Sequence, residues 1–138
     1  MNIFFQKYSD ASRALKTLSE ILQEEYSTTI QDAAIQRFEY TTEALWKCLQ
    51  AYLKESEGII SASPKSCMRE AKKSGILTDT EAECALEMID ARNLTSHTYH
   101  KEVADLLFKQ LPKFEKLMVK ILEEMSKKAV EPIARSRE

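Results

Sequence analysis

Apolar residues recur at three- and four-residue steps along most of the chain, which is the pattern of amphipathic helices. The first stripe predicts a helix over about residues 10–26, with Ser9 as its N-cap. The second stripe predicts a longer helix over about residues 29–57. Thr28 and Gln31 have the spacing of a capping box, so we expect them to open this second helix.

Residues typical of a helix N-terminus occur at two further places, in the middle of the chain. Ser63 precedes a proline, which predicts a short helix over about residues 64–74 because proline suits the first helical position. Thr78 and Glu81 have the spacing of another capping box. They predict a helix over about residues 79–96.

A last apolar stripe runs from Val103 to Met125 and predicts a helix that tolerates Pro112 only with a kink or a local break. The pattern is lost beyond Lys128, so we expect residues 129–138 to form a frayed tail. Four long amphipathic helices and one short helix, joined by short connectors, predict an all-α fold. We expect a single domain, an up-and-down four-helix bundle with one short extra helix.

Composition supports this fold and restricts the function. The 138 residues include two glycines and three prolines, too few for the turns of a β-rich fold. The net charge of −2 shows no bulk basicity, so any contact with RNA has to be local. No apolar run approaches the roughly 18 residues of a membrane span, and the N-terminus does not have the pattern of a signal peptide. We therefore expect a cytoplasmic protein whose three cysteines are reduced thiols.

One polar cluster follows the apolar stripe of the fourth predicted helix, on the same face. Its residues form an R-x4-H-x-Y pattern and are Arg92, Asn93, Ser96, His97 and Tyr99. A guanidinium group grips phosphate and an imidazole moves protons near neutral pH, so the cluster suits phosphate chemistry. The same residue types also cap helix ends, and the helix dipole favours a histidine near a C-terminus, so a structural role stays open.

A second motif is more specific. Residues 35–47 read IQRFEYTTEALWK. This stretch is similar to a segment of the nucleotidyltransferase substrate-binding proteins of the HEPN superfamily, and R-x4-H-x-Y resembles the signature of HEPN ribonucleases. The resemblance covers essentially residues 1–128.

The resemblance implies a homodimer in which Arg92 and His97 of two protomers cleave single-stranded RNA without a metal or cofactor, with Asn93 orienting the site. It also implies a partner, a minimal nucleotidyltransferase that transfers AMP to Tyr99 and so blocks RNA entry, as in a toxin–antitoxin pair. A different interpretation of the same family is a non-catalytic subunit that binds a substrate or nucleotide for the transferase. The acidic residues just before the motif weaken the RNA affinity that we expect.

Three other candidates stay open at this stage. Arg37 could join Arg92 in a phosphate-binding patch. His97 and His100 have a spacing that could hold a metal on a helix, although two unrelated histidines explain it more simply. Glu39 and Glu43 could form an acid pair, or could each bind a nearby basic side chain.

Overall fold

The computed structural model describes residues 3–137, with side chains up to residue 129. Five α-helices account for most of this part of the chain, and it contains no strand. A single 3-10 turn lies between the last two helices. The elements in chain order are α1 (Ile3–Ile21), α2 (Thr28–Glu57), α3 (Pro64–Lys73), α4 (Asp79–Asn93), the 3-10 turn (Thr95–His97) and α5 (Lys101–Arg137). The predicted fold class, four long helices with one short one, is confirmed.

Helix α2 is the centre of the bundle, because it packs against each of the other four helices. Its buried face carries Phe38, whose ring stacks on Phe114 of α5 at a centroid distance of 5.6 Å. Cys48 lies on the same helix and is fully buried, which raises the pKa of its thiol to about 12. This thiol therefore stays protonated and packs as an apolar group.

Several helix ends agree with the sequence pattern. The side chain of Ser63 accepts a hydrogen bond from the Ser66 backbone N–H, and Pro64 occupies the first turn of α3. The capping box at the start of α4 is complete. Thr78 accepts from the Glu81 backbone N–H, and the Glu81 carboxylate accepts from the Thr78 backbone N–H. Helix α4 therefore begins where the sequence predicts.

Two predicted starts are wrong. Helix α1 begins at Ile3, not near residue 10, because Phe4 is buried and its ring lies 5.8 Å from that of Tyr52. The N-cap of α2 is Ser27, whose hydroxyl accepts from the Ile30 backbone N–H at 3.1 Å. The predicted box partner, Gln31, instead donates from its side chain to a carboxylate of α5.

Two features near the C-terminal half also differ from expectation. Helix α4 ends at Asn93 instead of Ser96, since the chain tightens there into the 3-10 turn. Helix α5 continues through Pro112 without a break. Pro112 is on the exposed side of α5, so the backbone hydrogen bond that proline removes is missing at the surface and not in the apolar core. The helical backbone of α5 continues to Arg137, and side chains are described only up to residue 129. The frayed tail expected at 129–138 stays a prediction.

Candidate functional site

Arg92 lies in the last turn of α4 and faces α2. Its Nε atom is 2.7 Å from Oε1 of Glu43, and the two side chains are each about one third exposed. The N–H of this buried Nε is not aligned for a hydrogen bond, so the contact is an ion pair. Such a pair orients the guanidinium group and leaves part of it open to solvent.

Thr95 anchors the 3-10 turn that follows Arg92. Its Oγ1 lies 2.6 Å from Oε2 of Glu39 and 2.7 Å from the Arg92 carbonyl oxygen. The single hydroxyl hydrogen serves one of these acceptors at a time, and the charged carboxylate is the stronger one. Thr98 then closes the turn by donating to the Thr95 carbonyl at 3.2 Å. The turn is thus fixed to α2 at a buried position.

His97 and Tyr99 are exposed on the outer side of this turn. The Nδ1 atom of His97 is 3.5 Å from the Tyr99 hydroxyl, and the rings meet edge to face. Tyr99 is 76% exposed, and its ring also lies 4.4 Å from that of His100. An imidazole and a phenol are therefore presented together to solvent, directly after the helix that carries Arg92.

The other predicted site residues fall into two groups. Asn93 and Ser96 are exposed beside the motif and face solvent, although the stripe of α4 predicted that they would share its buried face. Arg37 lies on a different side of α2, where its Nη1 donates to the Thr17 carbonyl of α1 at 2.7 Å. The contacts of Arg37 and Arg92 are therefore with different helices.

The supporting carboxylates could not be assigned from the sequence. Glu39 and Glu43 were recognised as a pair one turn apart, but their partners, Thr95 and Arg92, were not. Glu43 also accepts a hydrogen bond from the indole N–H of Trp46 at 3.2 Å. The i, i+4 spacing of these two acids was the available signal.

Within residues 3–129 no group of three or more His, Cys, Asp or Glu side chains is placed to hold a metal ion. Among the helices described, none is long and apolar enough to cross a membrane.

Comparison with known proteins confirms the family that the sequence resembles. The family described as "nucleotidyltransferase substrate binding protein like" matches residues 5–127. A curated relative from Haemophilus influenzae, "Probable ribonuclease HepT", is 32% identical over 90 residues, which is 62% of this chain and 60% of that protein. The chain thus matches less than two thirds of that relative's length.

Two solved structures share the fold. A crystal structure of a Thermus thermophilus protein is 50% identical with a TM-score of 0.80, and the match covers 83% of this chain and 98% of that one. A Haemophilus influenzae structure, described as the substrate-binding domain of a nucleotidyltransferase, is 24% identical with a TM-score of 0.63. That second match covers 91% of this chain and 98% of the other, and shows the fold alone. With the family match extending over residues 5–127, this chain belongs to the nucleotidyltransferase substrate-binding protein family.

Proposed function

We propose that this protein is a ribonuclease of the HEPN type whose activity a partner nucleotidyltransferase controls. The observation that supports the proposal best is the joint exposure of His97 and Tyr99 on the turn that follows Arg92. A general acid or base must be within reach of solvent-borne substrate, and a modification site must be accessible to another enzyme. The turn meets both conditions within three residues.

The cleavage step needs only groups that the chain supplies. The 2′-oxygen of a ribose attacks the adjacent phosphorus, the bond to the 5′-oxygen breaks, and a 2′,3′-cyclic phosphate and a 5′-hydroxyl result. His97 takes the proton from the 2′-hydroxyl or gives one to the departing 5′-oxygen. Arg92 stabilises the negative charge that develops on the phosphoryl oxygens. Asn93 and Ser96, exposed beside these groups, offer polar contacts to the strand.

The homodimer is part of the proposal. Arg92 faces α2 and pairs with Glu43, whereas His97 faces outwards from the turn. A two-fold contact at this end of the bundle would bring the histidine of one protomer towards the arginine of the other. Leu94, which lies between them in the sequence, is a large exposed apolar residue that suits such a contact.

The control step is AMP transfer to Tyr99. Its phenolic oxygen attacks the α-phosphorus of ATP bound to the partner enzyme, pyrophosphate leaves, and the phenolic proton passes to solvent or to a base of the transferase. The attached AMP would bring a negative charge and a bulky nucleoside within a few ångströms of His97. Both effects oppose the approach of an RNA phosphate.

One observation favours the alternative, a non-catalytic subunit that binds a substrate or nucleotide for the transferase. Glu43 already neutralises Arg92 within the protomer, which weakens the attraction of that arginine for phosphate.

His97→Ala separates the two functions, with His100→Ala as the matched control at a neighbouring exposed histidine. The proposal expects loss of RNA cleavage in the first variant alone, with complex formation with the transferase intact in both. Wild-type protein that forms the complex and cleaves no RNA supports the binding subunit instead.

A further inference from the structure

A cavity of about 550 Å³ lies away from the R-x4-H-x-Y motif, between the start of α1 and the C-terminal half of α2. We call it the lysine groove. Its lining includes three cations, one carboxylate and several apolar side chains. The cations are Lys7, Lys47 and Lys54, the carboxylate is Glu55, and the apolar side chains include Ile3 and Ile60. The lining therefore carries a net positive charge in a protein whose overall charge is −2.

The lysines of this groove differ from most others in the described part of the chain. Seven other lysines lie within 3.6 Å of a carboxylate: Lys65, Lys72, Lys73, Lys101, Lys113, Lys120 and Lys127. Among the described residues, Lys7, Lys47 and Lys54 have no such ion pair. The one carboxylate of the lining, Glu55, accepts the backbone N–H of Phe4 at 3.1 Å. The groove thus offers an anion three cations that form no ion pair in the described part of the chain, beside a single carboxylate.

The lysines that α2 contributes to the groove lie on the same face of α2 as Glu43, the partner of Arg92. Glu43, which pairs with Arg92, is followed by Lys47, Gln50 and Lys54 at steps of four, three and four residues. These steps keep the side chains on one face of a helix. With a rise of about 1.5 Å per residue, Lys47 lies about 6 Å and Lys54 about 16 Å beyond Glu43 along the helix axis.

We propose that the lysine groove binds the sugar–phosphate backbone of single-stranded RNA and guides the strand towards Arg92 and His97. This inference rests on the proposed ribonuclease function. Cations spaced along a helix suit a repeating phosphate chain, and the exposed side chains of Ile3 and Ile60 offer apolar contact to riboses or bases. No aromatic ring is among the lining residues, so binding depends on the backbone and not on base stacking.

The test measures binding of a labelled 12-nucleotide RNA single strand by fluorescence anisotropy over a range of salt concentrations. The riboses of this strand carry 2′-O-methyl groups, so the strand cannot be cleaved. The test variant is Lys47→Gln with Lys54→Gln. The matched control is Lys16→Gln with Lys116→Gln, two exposed lysines that have no ion pair among the described residues and lie outside the groove. Lys16 is nine residues from Lys7, which places it on the opposite face of α1.

The expected result is a loss of affinity of at least about fivefold in the test variant, with a salt slope lower by about 1.4 for two lost phosphate contacts. The control variant should bind like the wild type. Equal losses in the two variants would indicate a simple effect of net charge and would overturn the proposal. Absence of binding by the wild type, or equally tight binding of a poly-glutamate peptide, would overturn it as well.

Cleavage is read separately with an unmodified RNA of the same sequence. If the wild type binds RNA through the groove but does not cleave it, the proposed ribonuclease function is refuted and RNA binding by the lysine groove is supported. Cleavage that the test variant retains in full, with unchanged affinity, would refute the groove alone.

Discussion

The guanidinium group of Arg92 on α4 lies 2.7 Å from the carboxylate of Glu43 on α2. Three residues later Thr95 lies 2.6 Å from Glu39, one turn earlier on α2. The chain after Arg92 therefore runs antiparallel to α2. Through these two contacts α2 holds both the arginine and the turn that presents His97. The segment of α2 that resembles the family most is therefore also the support of the R-x4-H-x-Y motif.

Glu43→Gln tests whether this support positions Arg92 for chemistry. The change keeps the shape and removes the charge, so a partly exposed ion pair of about 0.2–1 kcal/mol is lost and the fold should persist. We expect kcat for RNA cleavage to fall about tenfold, because small displacements of a catalytic group are costly. KM should stay the same or fall, since a carboxylate near the substrate phosphate is gone.

Steady-state kinetics and thermal unfolding of the same preparation check this prediction. Glu20→Gln, at an exposed glutamate of α1, serves as the control. A lower unfolding temperature with unchanged kcat would mean that the Arg92–Glu43 pair is only structural.

Tyr99→Phe should abolish AMP transfer by the partner nucleotidyltransferase and leave stability unchanged, because the side chain is 76% exposed. Incorporation of radiolabelled AMP, with intact-mass analysis, measures the outcome. Tyr26→Phe is the matched control, since Tyr26 is also exposed and lies in the connector before α2. Label that persists in the Tyr99 variant would place the acceptor at another residue.

Thr78→Ala should destabilise the protein by about 1 kcal/mol, the usual effect of removing an N-cap side chain. Thr78 accepts the Glu81 N–H at 3.2 Å, and this contact opens α4, the helix that carries Arg92. Urea unfolding followed by circular dichroism gives the free energy. Thr80→Ala, at an exposed position two residues later, should lower the free energy of unfolding much less. Equal losses in the two variants would contradict the role of Thr78 as an N-cap.

Lys120→Met should alter the dependence of stability on pH. The hydrogen bond from Lys120, followed by that from the Thr78 backbone, holds the pKa of Glu81 below its ordinary value of 4.5. A carboxylate with a lowered pKa in the folded state stabilises the fold above its unfolded pKa, and this contribution is lost as pH falls through the folded pKa. The variant should therefore be less stable than the wild type near pH 6, and the difference should shrink below pH 4.5.

Urea unfolding at a series of pH values measures that difference directly. Lys116→Met, one turn earlier on α5 and exposed, is the control and should give a difference independent of pH in this range. A difference between wild type and the Lys120 variant that grows on acidification would contradict the assignment.

Local signals in the sequence were sufficient to predict the helices. Apolar periodicity located the long helices α1, α2 and α5, and Ser63 before a proline located α3. The residues around Thr78 fixed the start of α4, because a capping box is a contact between near neighbours. The start of α1 was missed since Ser9 has the character of an N-cap, whereas burial of Phe4 against Tyr52 decides the boundary. Such a contact joins residues far apart in the chain, and periodicity carries no information about it.

The site was predictable only in part for the same reason. The R-x4-H-x-Y motif lies within eight residues, so its members could be named from the sequence. The partners of Arg92 and Thr95 lie about fifty residues earlier on another helix, and only the packing of α4 on α2 pairs them. Arg37, grouped with Arg92 by charge, instead contacts α1, because Arg37 points from α2 towards α1 whereas Arg92 points from α4 towards α2.

The most direct test of the ribonuclease is cleavage of a single-stranded RNA by protein shown by intact mass to carry no AMP, treated beforehand with a chelator. Arg92→Ala and His97→Ala are assayed beside it, together with a DNA strand of the same sequence. The account predicts a 2′,3′-cyclic phosphate product from RNA, none from DNA, and a loss of at least about a hundredfold in each variant. An unmodified wild-type protein that leaves the RNA intact, or variants that cleave as well as the wild type, would contradict it.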